Sequence, residues 1–252
     1  MRKVIYDFGK NNGDDVGYYL TKSDKVVAVE ADKKLCDFAA NRFVREIADE
    51  RLIILNVALS GTSSNHPLPF YVHKTDHVLS QILPPHPDHS GEFYTILVER
   101  RTASSIVREH GDPYYIKIDI EHYDQVILRE LFLSQIFPDY ISAECHSAEV
   151  FCLLGAYGYN SFNLVDGQSV PEVYGFPLHS AGPFGEDLTR PWYDLNSFLS
   201  VLASARLGWK DVHASRLIAA DVTTPPSLTM NPKEHMRDLV PSLWRRWKRA
   251  QR

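Results

Sequence analysis

Two short stretches concentrate residues that can do chemistry. "YYIKIDIEH" sets Lys117, Asp119 and Glu121 at alternate positions and ends on His122; "YISAECH" repeats the theme with Glu144 and His146. Strand side chains alternate in direction, so Lys117, Asp119 and Glu121 would share one face. Three buried charges on one face are costly unless paired, or else they shift their pKa values. Lys117 can pair with one acid; the others belong at the open end of the strand. If the two strands are neighbours, Asp119, Glu121, His122, Glu144 and His146 converge. An imidazole there can take a proton from a hydroxyl, with His146 the first choice and His122 the second. Alternatively Asp119, Glu144 and His146 can hold Mg²⁺ or Mn²⁺. A buried hydrogen-bonded network with no chemistry is the third reading. The preferred reading is the base, with a divalent metal open but not favoured.

The other chemical stretch lies at the start. "VIYDFGKNNGDDVGYYL" turns from an apolar run into Gly9, Asn11, Asn12 and Gly13, with Asp7 just before the turn. Glycine lets backbone approach a ligand, and the N–H groups of a following helix can bind it. The spacing D-x-G-x-N-x-G is not the dinucleotide fingerprint G-x-G-x-x-G. An acid before the turn would repel a pyrophosphate and suits a ligand with a cationic amino-acid end. "VVAVEA" then ends on Glu30 and Ala31, about 20 residues after the turn, where an acid accepts from both ribose hydroxyls of an adenosine ligand. That acid alone does not separate S-adenosylmethionine from NAD.

The elements that must position these groups follow from apolar periodicity. "KVIYDF", "KVVAVEA" and "RLIILNVAL" read as strands, separated by a helix from about Asp14 to Leu20 and by "KKLCDFAANRFVREIA", which Asp32 can cap. After a loop and hairpin excursion at about 62–101, "TASSIVREHG" reads as a helix stopped by Gly111. Strands "PYYIKIDIE", "DYISAECH" and "YNSFNLVDG" then alternate with helices "YDQVILRELFLS" and "SAEVFCLLGAYG". This rhythm predicts an α/β fold, a mostly parallel sheet with helices on both faces and ligands beyond the carboxyl ends of its strands. Residues 1–167 form the core. Residues 168–252 form a lid loop and a C-terminal helical extension of the same domain.

Taken together, "YDFGKNNGDD", "VVAVEAD", "LNVALSG" and "YYIKIDIEHYD" resemble the FkbM-type family of class I S-adenosylmethionine-dependent methyltransferases. The family pattern runs roughly D-x-G-A-N-x-G, V-E-P, N-x-A-L and K-I-D-V-E-G-x-E, and the match spans about residues 4 to 165. The resemblance implies a Rossmann-like seven-stranded sheet and S-adenosylmethionine as cofactor, leaving S-adenosylhomocysteine as product. Asp7, Gly9, Asn11, Asn12 and Gly13 would hold the methionine end, with Asp119 near its amine. Glu30 and Ala31 would hold the ribose, and Asn56, Val57 and Ala58 would flank the adenine. It also implies O-methylation of a hydroxyl on a glycan or secondary metabolite. Three departures fall on this chain: Lys10 where a small residue is usual, His122-Tyr123-Asp124 for Gly-x-Glu, and "RTASSIV" for T-L-D-x-L. Rival readings are an NAD-dependent oxidoreductase, a non-catalytic binding module, and N-methylation with the same cofactor.

The bulk composition bounds the remainder. The chain has 252 residues, 44% of them apolar, and a formal charge of −5, which disfavours nucleic acid as a whole-surface partner. Its three cysteines, Cys36, Cys145 and Cys152, show no framework spacing, which suggests a reducing, cytoplasmic setting. No stretch is long and apolar enough to span a membrane. The expected partner is a small-molecule or glycan acceptor, and a homodimer is compatible with the sequence. "FPLHSAGPFGEDL" reads either as a lid offering His179, Ser180, Phe184 and Glu186 or as a packed surface loop. The excursion offers His73, His77 and Ser80 to the acceptor side, while His66, His86 and His89 read as solvated. "WRRWKRAQR" at the end reads as a basic helix.

Overall fold

A computed structural model describes residues 2–205 and 208–223 of the chain. In chain order the elements begin β1 (Val4–Phe8), α1 (Val16–Lys22), β2 (Lys25–Glu30), α2 (Lys33–Arg42), α3 (Val44–Ala48), β3 (Leu52–Asn56) and β4 (Ala58–Leu59). They continue with β5 (Leu68–His73), β6 (Phe93–Val98), β7 (Arg100–Arg101), α4 (Ala103–His110), β8 (Pro113–Ile118) and α5 (Asp124–Leu133). The last are β9 (Tyr140–Glu144), α6 (Ala148–Ala156), β10 (Ser161–Asp166), α7 (Val170–Tyr174), α8 (Leu195–Ser204) and β11 (Lys210–Ser215).

The central sheet has seven strands in the order β10-β11-β9-β8-β1-β2-β3. The pairs among β9, β8, β1, β2 and β3 are parallel; β11 runs antiparallel to both its neighbours. The order in which strands are added to the sheet reverses between β1 and β8, and the crevice beyond their carboxyl ends is where an open α/β sheet takes a ligand.

Alternation along each strand explains the two apolar layers. Tyr6, Phe8, Ile116, Ile118 and Ile141 pack on one face against Ile106, Ile127, Leu131, Phe151 and Phe198 of α4, α5, α6 and α8. Ile5, Val26, Ala28, Tyr115 and Tyr140 pack on the other against Val16, Tyr19, Ala39 and Phe184. Capping residues fix the helix starts. Asp32 accepts from the Lys34 N–H, Thr102 from that of Ser105, and Ser147 from that of Glu149.

Four expectations meet the structure with different outcomes. First, "PYYIKIDIE" leaves the sheet at Ile118, so Asp119 and Glu121 stand in the turn beyond β8 rather than on a strand face. Second, the excursion contains the expected hairpin, β5 against β6, with its own small apolar core of Leu68, Phe70, Val72 and Val98. Third, the C-terminal segment is more than a helical extension, because β11 enters the middle of one half of the sheet. Fourth, the 176–188 loop is a layer of the fold. Ser180, Ala181, Phe184 and Leu188 are buried, and the Phe184 ring stacks on Tyr115 with centroids 3.9 Å apart. The basic segment with Trp244 and Trp247 lies outside the described residues. No helix among the described residues is long and apolar enough to cross a membrane.

Candidate active site

The turn after β1 is shaped by what lies above it. Gly9 has φ +83°, and a Cβ there would sit 1.9 Å from the Asp119 carbonyl oxygen, so only glycine fits. The Asp119 N–H donates to the Phe8 carbonyl at 2.9 Å, which locks the two strand-end turns together. These turns and the β5–β6 hairpin enclose a cavity of about 310 Å³.

One end of the cavity is lined by Gly9, Asn11, Asn12, Glu30, Ala31, Val57 and Ala58, eight-elevenths of the expected cofactor set once Asp119 is added. The Glu30 carboxylate is held by two backbone N–H groups, from Asn11 at 2.9 Å and Asp32 at 2.8 Å. Burial raises its pKa, while those N–H groups and the Lys10 ammonium act in the opposite sense. The Asn11 side-chain oxygen is buried without a hydrogen-bond partner among the described residues. The remaining three expected residues serve the cavity from behind. Asp7 is fully buried, and its carboxylate faces Lys117 at 3.5 Å. Gly13 packs on Ala39 and Phe43, and Asn56 donates through its side-chain amide to the carbonyls of Glu30 and Ala31. Lys10, noted only as a departure in sequence, is also buried in the lining and donates to the carbonyls of Asn11 and Leu35.

At the centre stands Lys117, with its ammonium 3.1 Å from Asp119, 3.5 Å from Asp7 and 4.0 Å from Asp15. Burial alone would lower its pKa, but the three carboxylates, Asp119 foremost, hold it well above the usual lysine range. Burial pushes Asp15 up to about 6. Asp15 accepts from the Ser180 hydroxyl and from the Ala181 N–H at 3.1 Å, tying the 176–188 loop to the start of α1.

The rest of the lining includes Asp119, Glu121, Glu144, His179 and Trp209, with His77 and Ser80 from the hairpin. β8 and β9 are neighbours, so Glu121 and Glu144 arrive together. The imidazoles His122 and His146 lie outside the cavity lining, behind these two carboxylates. His122 Nε2 is 3.1 Å from Glu121, His146 Nε2 is 3.0 Å from Glu144 and 4.0 Å from Glu121, and the two rings are 4.2 Å apart. Burial, reinforced by the Glu144 charge, pushes the Glu121 carboxyl up to about 7. At His146 burial lowers the pKa, but the Glu144 hydrogen bond and charge more than offset it and the net shift is upward. Burial, with the neighbouring His146 charge, lowers His122. His122 has φ +61°, the left-handed backbone that suits glycine.

Among the described residues, the acids and imidazoles whose ligand atoms lie within 4.8 Å of one another are Glu121, His122 and His146. The expected metal set of Asp119, Glu144 and His146 does not gather, because Asp119 is turned onto Lys117. Of the other candidates, His73 pairs with Glu92 and packs edge-on against Phe93, and Glu186 pairs with Arg190 on the surface. Ser180 and Phe184 are buried away from the cavity. Trp209 went unread in sequence; the only signal was an isolated aromatic at the start of a short alternating run.

A mostly parallel sheet with a glycine turn and a carboxylate at adjacent strand ends defines a Rossmann-like fold with a nucleoside-type site. The model of the FkbM methyltransferase domain matches residues 7–159. The chain belongs to that family and is a methyltransferase. It has no significant sequence match among curated proteins. Among solved structures it is similar to an rRNA methylase from Streptococcus thermophilus, at 9% identity over 86% of this chain and 88% of that one, with a TM-score of 0.41. It is also similar to the C-terminal domain of precorrin-6Y C5,15-methyltransferase from Rhodobacter capsulatus, at 11% identity, 85% and 79% coverage and a TM-score of 0.42. A third is an O-methyltransferase from Bacillus cereus, at 11% identity, 85% and 74% coverage and a TM-score of 0.40. None of their substrates is carried over to this chain.

Proposed function

We propose that the protein transfers the methyl group of S-adenosylmethionine to a hydroxyl of a glycan or secondary metabolite, with Glu121 as the base. The residues present fit this cofactor. Glu30 is fixed with lone pairs to spare, Asn11 keeps a buried oxygen unpartnered among the described residues, and the Gly9 turn leaves room that a Cβ would fill. When bound, the cofactor supplies a methyl group made electrophilic by its sulfonium.

The single observation that carries the reading is Glu121. It lines the cavity, and its pKa of about 7 suits a group that must be ionised to accept a proton yet basic enough to take one. The acceptor oxygen forms its bond to the methyl carbon as the carbon–sulfur bond breaks, and the hydroxyl proton passes to Glu121. His122 and His146 stand behind the carboxylates, where they orient Glu121 and Glu144 and can pass the proton outward, His122 being half exposed. The imidazole of His146 is therefore assigned a positioning role rather than direct contact with the acceptor.

Glu121→Gln keeps the shape and removes the base. It should leave S-adenosylhomocysteine affinity by calorimetry within about twofold while lowering turnover by the ~10²–10⁴-fold typical of a lost general base. Because the base acts ionised, wild-type turnover should rise with pH through about 7, and the variant should lose that limb. Absence of S-adenosylhomocysteine binding to the wild type would end the cofactor assignment. A fully active Glu121→Gln would move the proton acceptor to Glu144 or His146.

A further inference from the structure

We infer that Trp209 is the platform on which the ring of the acceptor lies, and that it sets acceptor specificity for a neutral ring carrying several hydroxyls. This rests on the methyltransferase reading above and deepens it.

The argument starts with where the cavity's two ends come from. The residues shared with the family end at 159 and supply the turn after β1, Glu30 and the β8 and β9 ends. Trp209 and His179 lie beyond them, so this part of the acceptor wall is encoded outside the matched domain. Trp209 immediately precedes β11, whose Asp211 pairs in register with Glu144 at the end of β9. Trp209 therefore stands at the same end of the sheet as Glu144 and lines the same cavity as Glu121 and Glu144.

Its orientation is fixed from three sides. A Cβ on Gly167 would fall 2.0 to 2.4 Å from the indole carbons, so the ring lies directly against that glycine backbone. The Gly167 N–H donates to the Trp209 carbonyl at 3.2 Å, and the indole N–H donates to Asp211 at 3.2 Å. The His179 ring lies close to parallel with the indole, at 24° with centroids 6.5 Å apart. A held aromatic surface then lines a cavity together with three carboxylates, Asp119, Glu121 and Glu144.

The chemistry of that pairing selects a ligand class. An indole face offers apolar and C–H contacts to one side of a ring, while carboxylates accept hydrogen bonds from hydroxyls at its edge. Lys10 and Lys117 also line the cavity, but Lys117 is shared among Asp7, Asp15 and Asp119, so carboxylates outnumber ammonium groups and disfavour an anionic ring at close range. A pyranose meets both demands; an acyclic polyol lacks the flat face, and a uronate carries the wrong charge.

The test uses the full chain with S-adenosylhomocysteine and saturation-transfer NMR. The probes are the methyl pyranosides of glucose, galactose and rhamnose, with sorbitol and methyl glucuronate as controls. At least one neutral pyranoside should receive saturation on its ring C–H groups, and both controls should receive less. Trp209→Ala should weaken that pyranoside's affinity by at least about threefold, the scale of an aromatic contact. Trp209→Phe should retain most of it. Calorimetric S-adenosylhomocysteine affinity should stay within about twofold in both variants, which certifies that they fold and separates this inference from the cofactor reading. Equal saturation of sorbitol, preference for glucuronate, no pyranoside contact at all, or an unaltered affinity in Trp209→Ala would each overturn the platform. If Trp209→Ala alone fails to fold, Trp209→Phe and Trp209→Tyr decide by whether affinity follows ring size.

Discussion

At the scale of residues, charge placement divides the labour of the cavity. Glu30 sits at the apolar-lined end with two backbone donors, so its remaining lone pairs are its only free function there. Glu30→Ala should therefore weaken S-adenosylhomocysteine binding by at least about tenfold, because a charged acceptor of ligand hydrogen bonds contributes roughly 1.5–3 kcal/mol. Calorimetry checks this; unchanged affinity would detach Glu30 from the ribose. Glu30 was legible in sequence because an acid at the end of an apolar run has few structural excuses. The choice between His146 and Glu121 was not. They stand in different motifs, just beyond β8 and β9, and the residue pattern does not show that Glu121 lines the cavity while His146 lies outside its lining. Asp119 shows the same limit. Its alternation with Lys117 and Glu121 was read as a shared strand face, yet it is a turn that brings it onto the ammonium.

At the scale of elements, the site depends on two turns pressed together. Gly9 combines a positive φ with a carbonyl oxygen where a side chain would begin. Gly9→Ala should destabilise the fold by more than the ~1–3 kcal/mol of backbone strain alone, since the 119 turn must also move. Denaturant unfolding measures the loss, and S-adenosylhomocysteine affinity should fall with it. A stable, tight-binding Gly9→Ala would show that the two turns part easily. Helices and strands with strong periodicity were readable, including α4 between Thr102 and Gly111. The 176–188 loop was not, since glycine, proline and aromatics signal a mobile cover and a packed layer equally well. Its burial follows from particular contacts, Phe184 on Tyr115 and Ser180 on Asp15, that join segments far apart in sequence.

At the scale of the whole molecule, the family domain and the structural domain differ in extent. The matched region stops at residue 159, before β10 and β11. A fragment of residues 1–159 leaves β9 without its neighbour and strips Phe162, Phe198, Val212 and Ala214 from the main apolar layer. Full burial of a large apolar side chain contributes roughly 1.5–3 kcal/mol, so losing Phe162, Phe198 and Val212 alone, about 4.5–9 kcal/mol, is comparable with the ~5–15 kcal/mol net stability of an ordinary domain. Circular dichroism and proteolysis should find the fragment unfolded or molten, whereas a chain ending at residue 223 should unfold cooperatively. The β-α alternation announced a parallel sheet; it did not announce β11, because "KDVHAS" is short and carries two charges.

β11 also fixes an order of events. The strand that completes this half of the sheet is the last one in the described chain, yet it belongs between β9 and β10. During synthesis, β9 is made first and waits roughly 70 residues for its partner, about 4–14 s at 5–20 residues per second. Throughout that interval the N–H and C=O groups of β9 that β11 will pair, and the apolar residues Tyr140, Ile141 and Ala143 among them, remain without that partner. A bare edge of that kind invites pairing with another nascent chain. The growing polypeptide therefore passes through a sticky interval that the finished enzyme does not share, and a ribosome-bound chaperone that shields extended segments is the factor on which its yield should depend.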